Sequence, residues 1–438
     1  QVKKNDIFFA IEGTKFDGNK YIFDAINKGA KIIISKKKIK LKKKNILFLR
    51  NNNPRKLLAE LSFKLIRRKP KNLVAVTGTN GKSSVSDFYY QLLNLNKKKT
   101  ASIGTIGIQS NNKKNFVENT TLDPIKLRKV INDLNKKNIN NIILEASSHG
   151  LKQNRLDGLF FDIGIFTNLS HDHLDYHKNF NDYLNSKLYL FNNLIKKKGV
   201  VITDPSIPQF KRIKKLVNKK KLKLLTIFNS NTDLELISHK YENDNQIIKI
   251  KERNKGKIIK LNLNLIGKIQ IKNVLMAILA AIRSGLNMNL MIDSIGKLRA
   301  TEGRLEKIGK IKNNSKVILD YAHTPDALKT VLTNIKEQFP SAKIRLVFGC
   351  GGDRDKSKRS KMGKIASKFA DIIYLTDDNP RNENPKKIRR QIRMWINNKR
   401  IKEIPNRKVA INDCINDLCS GDIGIIAGKG HEKTQDYN

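Results

Sequence analysis

The chain has 438 residues, more than one ordinary domain holds, and the usual domain sizes suggest roughly two to four units, of which we expect three. Hydrophobic residues make up 39% but fall in short runs, none near the ~20 apolar residues a bilayer span needs, so membrane insertion is not expected. The formal charge of +49 is of a size that nucleic-acid binders carry. However, the lysines scatter along the whole chain, as at Lys36–Lys38, Lys97–Lys99, Lys196–Lys198 and Lys219–Lys221, alternating with asparagines. With no RNA-binding aromatic signature, zinc-finger spacing or basic zipper, nucleic acid is not the expected partner, whereas an anionic substrate suits this field. Cys350, Cys414 and Cys419 form neither a metal-ligand spacing nor an even disulfide set, and no apolar signal segment opens the chain; a cytoplasmic location is expected.

Two short β-branched runs, at 6–10 and 31–34, come first, followed by a break in character at 68–71. The run 73–77 then feeds Gly78-Thr79-Asn80-Gly81-Lys82-Ser83-Ser84 and a helical stretch. Strand, glycine-rich turn and helix in that order make a phosphate cradle. Glycines let backbone N–H groups reach the phosphates, Lys82 offers a cation to them, and the Ser83 hydroxyl suits Mg²⁺. The spacing is shorter than the common G-x-x-x-x-G-K-[ST] form, because position 76 is valine.

The run 142–145 ends in Glu145 and opens Glu145-Ala146-Ser147-Ser148-His149-Gly150, setting a hard-oxygen carboxylate beside hydroxyls where a metal–phosphate centre can form. After the run 163–166, the loop 167–177 packs His171, Asp172, His173, Asp175 and His177 together; by ligand type alone this is a transition-metal site or a capped helix start. The helix predicted over 180–194 carries an apolar face through Phe180, Tyr183, Leu184, Leu188, Phe191 and Leu194, and Lys187 falls on that face. Either its stem snorkels at the core edge, or burial keeps the amine neutral enough to react.

Further strands are expected at 200–203, 317–320, 344–348, 372–375 and 424–427, a strand-rich segment at 234–265, a helix at 271–284, and a second break at 300–306. Strands alternating with helices mean α/β architecture with largely parallel sheets. Nearly all the polar motifs directly follow a strand, as do six of the seven histidines, all except His239. Carboxyl ends of strands are where open α/β sheets bind ligands.

Taken in order, the segments 78–83, 145–149, 172–177, 320–325, 349–354, 378–381 and 428–432 resemble the Mur ligases over almost the whole chain. That resemblance implies a three-domain architecture: a UDP-binding unit at 1–70, a central P-loop ATPase-like unit at 71–302 and a Rossmann-like amino-acid-binding unit at 303–438. It implies an ATP- and Mg²⁺-dependent ligase of peptidoglycan synthesis, acting as a monomer on small molecules. Gly78, Thr79, Asn80, Gly81, Lys82, Ser83, Ser84, Asn273, Arg304, Asp320 and His323 would surround ATP. Ser83 and Glu145 would hold one metal ion and His173 a second. Lys187 matches the lysine that family members carry as a carbamate. Asn119, Thr120, Thr121, Ser147, Gln153 and Arg155 match positions that contact a UDP-muramoyl dipeptide. Arg354, Asp378, Asn379, Pro380, Arg381, Gly428 and Glu432 match an amino-acid pocket, and Asp-Asn-Pro-Arg resembles the form that selects meso-diaminopimelate. An arginine fork suits the distal carboxylate of that amino acid, and Glu432 its ammonium. Lysine-adding and folylpolyglutamate-forming relatives remain the alternatives, with a basic nucleic-acid-binding P-loop protein as the alternative from another class. Relatives also carry an Asp-Ser-Arg motif before a stretch like 2–10 and continue beyond the position of Asn438, so both ends are read as clipped.

Overall fold

The computed structural model describes residues 2–13, 16–39, 43–242, 244–253, 255–310, 314–397 and 400–437; Gln1 and Asn438, on which the reading of clipped ends turned, lie outside them. Three sheets divide the described residues. The first holds β1 (Ile7–Ala10), β2 (Ile32–Ser35) and β3 (Leu47–Arg50), all parallel. The second has eleven strands. Its middle is β4 (Asn72–Thr77) flanked on one side by β8 (Asn141–Glu145) and β5 (Thr100–Gly104), on the other by β9 (Phe161–Phe166), β10 (Ile195–Thr203) and β11 (Lys223–Phe228), every neighbouring pair parallel. Antiparallel wings extend it: β6 (Gly107–Ser110) and β7 (Lys113–Asn115) at one edge, β12 (Leu234–Glu242), β13 (Asn245–Glu252) and β14 (Ile258–Leu263) at the other.

The third sheet runs β15 (Glu306–Lys310), β16 (Lys316–Asp320), β20 (Ile423–Ala427), β17 (Ile344–Phe348), β18 (Ile372–Leu375), β19 (Ile401–Glu403), parallel except for β15. The expectation of largely parallel sheets therefore holds for the strands that carry the polar motifs and fails at the wings. Within the wings short hairpins join antiparallel neighbours, although β12 still pairs with β11 in parallel.

Four helices begin alike. Asn53, Asp123, Thr324 and Asn384 each accept a hydrogen bond from the backbone N–H three residues on, and a proline follows each cap. The side-chain oxygen satisfies a free N–H, and proline supplies the helical φ without wasting a donor. The predicted helix over 180–194 is α-helical only across Phe180–Tyr189, capped by Asn179, and continues as a π-helical turn over Leu190–Leu194. Phe180, assigned to its apolar face, is instead exposed in the first turn, while Tyr183, Leu184, Leu188, Phe191 and Leu194 are buried.

The second sheet is covered on both faces. The helices Lys82–Leu95 and Lys268–Arg283 pack together over one, with Phe88, Leu92, Ile271 and Leu275 in the same core. Tyr183, Phe191, Leu127 and Ile131 belong to the core on the other. A third core fills the last unit around Ile318, Leu346 and Ile425. Among the described residues no helix is long and apolar enough to cross a membrane.

Candidate active site

Because β4, β8 and β9 are parallel neighbours, with Val76 opposite Glu145 and Thr77 opposite Phe166, their carboxyl ends open side by side. Three separate motifs thereby meet at one edge. Gly78 has φ +149°, and a Cβ there would overlap the Thr167 hydroxyl, so only glycine lets the loop lie against the segment that directly follows β9. Thr167 Oγ1 donates to the Asn80 carbonyl at 2.6 Å, and Asn80 N donates to Asn168 Oδ1 at 2.9 Å. The loop is shaped before any phosphate arrives.

Lys82 folds back so that its amine donates to the carbonyls of Gly78 (3.0 Å) and Thr79 (2.7 Å), and burial lowers its pKa. Ser83 Oγ donates to Glu145 Oε2 at 3.1 Å. Thr105, which the sequence reading passed over, gives Glu145 two more hydrogen bonds, from its N–H (2.9 Å) and its hydroxyl (3.0 Å). Glu145 is 1% exposed, and these partners are all neutral. A buried carboxylate that keeps its charge wants a cation, and an acidic oxygen beside a hydroxyl is the hard donor set of Mg²⁺, which takes few protein ligands and completes its shell with phosphate and water. The residues present fit that ion.

Lys187 is 1% exposed. Its amine does not snorkel: Nζ donates to the Gly78 carbonyl at 2.7 Å and lies 4.5 Å from the centre of the Tyr183 ring. Burial, together with the nearby Lys82 charge, pushes its pKa well below that of an ordinary lysine.

The loop 167–177 does not gather its histidines on one point. His171 Nε2 is 3.1 Å from Asp355 Oδ2 on the third unit, His177 Nε2 is 3.0 Å from Ser148 Oγ in the core, and His173 Nε2 is 3.4 Å from Asp172. Among the described residues no group of three or more His, Cys, Asp or Glu side chains is placed to hold a metal ion. The transition-metal reading of this cluster is therefore corrected: His171 turns to the third unit, while His173 and His177 lie by the His149 and Tyr183 rings and take different hydrogen-bond partners. Burial holds His173 and His149, whose rings meet edge to face with centroids 4.8 Å apart, down to about 4.

Two cavities of about 280 Å³ each open from this edge. One lies between the helices Lys268–Arg283 and Pro325–Gln338 and is lined by Asn80, Gly81, Ser84, Asn273, Arg304, Asp320 and His323, the expected ATP set apart from loop residues held beneath it. The Arg304 guanidinium sits 4.4 Å over the Tyr321 ring. Asp320 accepts from the N–H groups of Leu305 and Ala322, both at 2.7 Å, and burial raises its pKa. The other cavity joins His173 to Arg354, Asp378, Asn379, Arg381, Gly428 and Glu432, residues brought together because β16, β20, β17 and β18 end on the same side. Pro380 shapes the backbone without lining the cavity. Burial pushes the Glu432 carboxyl up, but hydrogen bonds from Tyr321 (2.9 Å) and the neighbouring Lys429 hold it below the usual glutamate value. Arg354 reaches across to Asp175 of the second unit at 3.5 Å.

The third expected group also clusters. Thr121 Oγ1 donates to the Glu145 carbonyl (2.8 Å) and to Ser147 Oγ (3.0 Å), Arg155 donates to the Thr121 carbonyl (2.6 Å) and grips Gln153 through Nε and Nη2, and Thr120 shares a hydrogen bond with Thr105. Asn119 is exposed beside them. Besides Thr105, the sequence reading missed Lys358, which donates to the His323 carbonyl, and Asp355; both stand close to the quoted Gly349–Arg354 segment.

A phosphate loop backed by a hard-oxygen pair, facing a polar cavity across a cleft between two α/β units, defines the class: ATP-dependent ligases that form amide bonds. Comparison with known proteins gives the family. The models "Mur ligase family, catalytic domain", "Mur ligase middle domain" and "Mur ligase, glutamate ligase domain" match residues 1–63, 76–281 and 303–430. The UDP-N-acetylmuramoyl-L-alanyl-D-glutamate--2,6-diaminopimelate ligase of Rickettsia montanensis is 41% identical over 443 residues, covering 99% of this chain and 90% of that one; its namesake from Chelativorans sp. is 38% identical, covering 100% and 89%. A solved structure bearing the same enzyme name superposes with a TM-score of 0.73 at 30% identity, covering 100% of this chain and 89% of that chain. The chain belongs to the Mur ligase family.

Proposed function

We propose that this ligase joins meso-diaminopimelate to the D-glutamate side-chain carboxylate of UDP-N-acetylmuramoyl-L-alanyl-D-glutamate, with ATP converted to ADP and phosphate, as a step of peptidoglycan synthesis. The observation that carries the reading is the cavity in which Arg354, Arg381, Asp378 and Glu432 converge beside His173. Two guanidinium groups suit the carboxylates of an amino acid with acid at both ends, and the acidic pair suits its ammonium groups. The names of the relatives agree.

The glutamate carboxylate attacks the γ-phosphorus of ATP and ADP leaves, giving an acyl phosphate; the amine of diaminopimelate then attacks the acyl carbon and phosphate departs. Little covalent work falls to the protein, so its task is positioning and electrostatics. Lys82, freed from its loop carbonyls, neutralises the phosphates, while Asn273, Arg304, Asp320 and His323 line the nucleotide site. Ser83 and Glu145 would hold Mg²⁺, and His173 a second ion, and the bound metal would supply neutralisation of phosphate charge. Lys187, its pKa lowered by burial, would add to CO₂ through Nζ with loss of a proton, giving an anionic carbamate. Thr120, Thr121, Ser147, Gln153 and Arg155, with Asn119, form the shelf for the muramoyl dipeptide. We assign the division of labour to units at 1–70, 71–302 and 303–438, a reading that the three separate sheets support, and place the enzyme in the cytoplasm as a monomer.

A coupled ADP-release assay tests the proposal. Turnover is expected only with both the UDP-muramoyl dipeptide and meso-diaminopimelate present. Equal turnover with L-lysine overturns the pocket assignment, and ADP release stimulated by nucleic acid alone overturns the ligase reading.

A further inference from the structure

Arg359, in the helix Ser357–Phe369, is the largest side chain fully buried in the molecule's described residues, at 1% exposure, and it does not line the amino-acid cavity. It binds Glu383 bidentately, Nη2 to Oε1 at 2.9 Å and Nη1 to Oε2 at 3.0 Å, and donates also to Gln391 Oε1 (2.6 Å) and the Gly351 carbonyl (3.3 Å). Glu383 in turn accepts from the Asp353 N–H at 2.7 Å, and Asp353 accepts from Asn382. The loop after β17 and the loop after β18 are thus tied through one ion pair.

What the tie surrounds is the arginine fork. Arg381 Nη1 donates to the Gly352 carbonyl at 2.7 Å, Gly352 N donates to the Asn379 carbonyl at 2.9 Å, and a Cβ at Gly352 would overlap the Pro380 carbonyl. Asp353 and Arg381 both take left-handed backbone, φ +52° and +53°, which side chains other than glycine hold only where the surroundings impose it. Arg354 and Arg381 follow or occupy these two strained positions. The tie therefore holds the backbone from which both guanidinium groups project.

We infer that Arg359 and Glu383 are positioning residues for amino-acid selection: their bidentate ion pair holds the two loops that carry Arg354 and Arg381 in the geometry that receives the distal carboxylate, without touching the substrate. A bidentate pair whose arginine is fully buried is directional and stiff, which suits a part whose function is to hold geometry. The inference rests on the proposed diaminopimelate reading. A merely structural pair would lower stability and leave the substrates ranked as before; a positioning pair acts on one substrate of three.

The test is steady-state kinetics of Glu383→Gln, Arg359→Lys and the double variant, each varied against ATP, the UDP-muramoyl dipeptide, meso-diaminopimelate and L-lysine. KM for diaminopimelate should rise about 10-fold or more with kcat within about threefold, since an interaction shared by ground and transition states is lost. KM for ATP and for the dipeptide should stay within about twofold, and lysine use should be unchanged, so selectivity falls about 10-fold. The double variant should be no worse than the poorer single one, because both remove one interaction. Should either variant fail to fold, Gln391→Leu, which removes only a lateral partner of Arg359, should move the same ratio in the same direction. An unchanged KM for diaminopimelate in a folded variant, or an equal rise for all substrates, overturns the inference. Absence of amino-acid-dependent ADP release in the wild type overturns the ligase reading instead.

Discussion

The Lys187 amine donates to the carbonyl of Gly78 at 2.7 Å, across 109 positions of chain. A helix residue from the core thus touches the entrance of the phosphate loop. Replacing Lys187 with alanine should reduce kcat by about 100-fold or more, the order expected when a group aligning a charged centre is lost, and added acetate should restore part of it. Enzyme equilibrated with ¹³C-bicarbonate should show a carbamate resonance that the variant lacks. Full activity in the variant, without the resonance in wild type, returns Lys187 to a packing role.

Gly78→Ala puts a methyl group into the Thr167 hydroxyl at a backbone angle that alanine resists. We expect KM for ATP to rise about 10-fold, with a loss of stability of roughly 2 kcal/mol from strain. Adding Thr167→Ala should recover part of the ATP affinity by removing the collision, and this coupling is the readout. Independent, additive effects would mean that the two residues do not share the space assigned to them.

The Arg359 guanidinium holds the Glu383 carboxyl down at about 2. A depressed acid contributes stability that is complete above its unfolded value, about 4.3, and lost as pH falls toward the folded one. Glu383→Gln should therefore lower the stability of the last unit at neutral pH, by roughly 2–3 kcal/mol for a broken, nearly buried pair. The gap in melting temperature between the two proteins should narrow as pH drops from 5 toward 3. A gap constant across that range contradicts the linkage.

The strands that lead into motifs were legible because they are short β-branched runs ending in glycine, serine or acidic residues. Leu47–Arg50, Thr100–Gly104 and Lys223–Phe228 were not read as strands. The first is flanked by lysines and asparagines, the second is built of small residues, and each is a strand because a neighbour pairs with it. Local propensity is weak where pairing decides. Thr105 escaped notice for a related reason, since a lone threonine two residues before a glycine carries no signal until β5 is laid beside β8.

By itself the sequence determined the family, the phosphate loop, the α/β class and the motifs that supply many of the polar residues lining the two cavities, because these are carried by short motifs whose chemistry is local. The tertiary structure alone decided three things. It showed that Lys187 ends in the core rather than in water, that the loop histidines part company, and that Arg359 and Glu383, silent in the sequence, bind two loops into one pocket. Burial, and the pairing of charges distant in the chain, depend on which strands become neighbours, and that is fixed by the packing of the whole sheet.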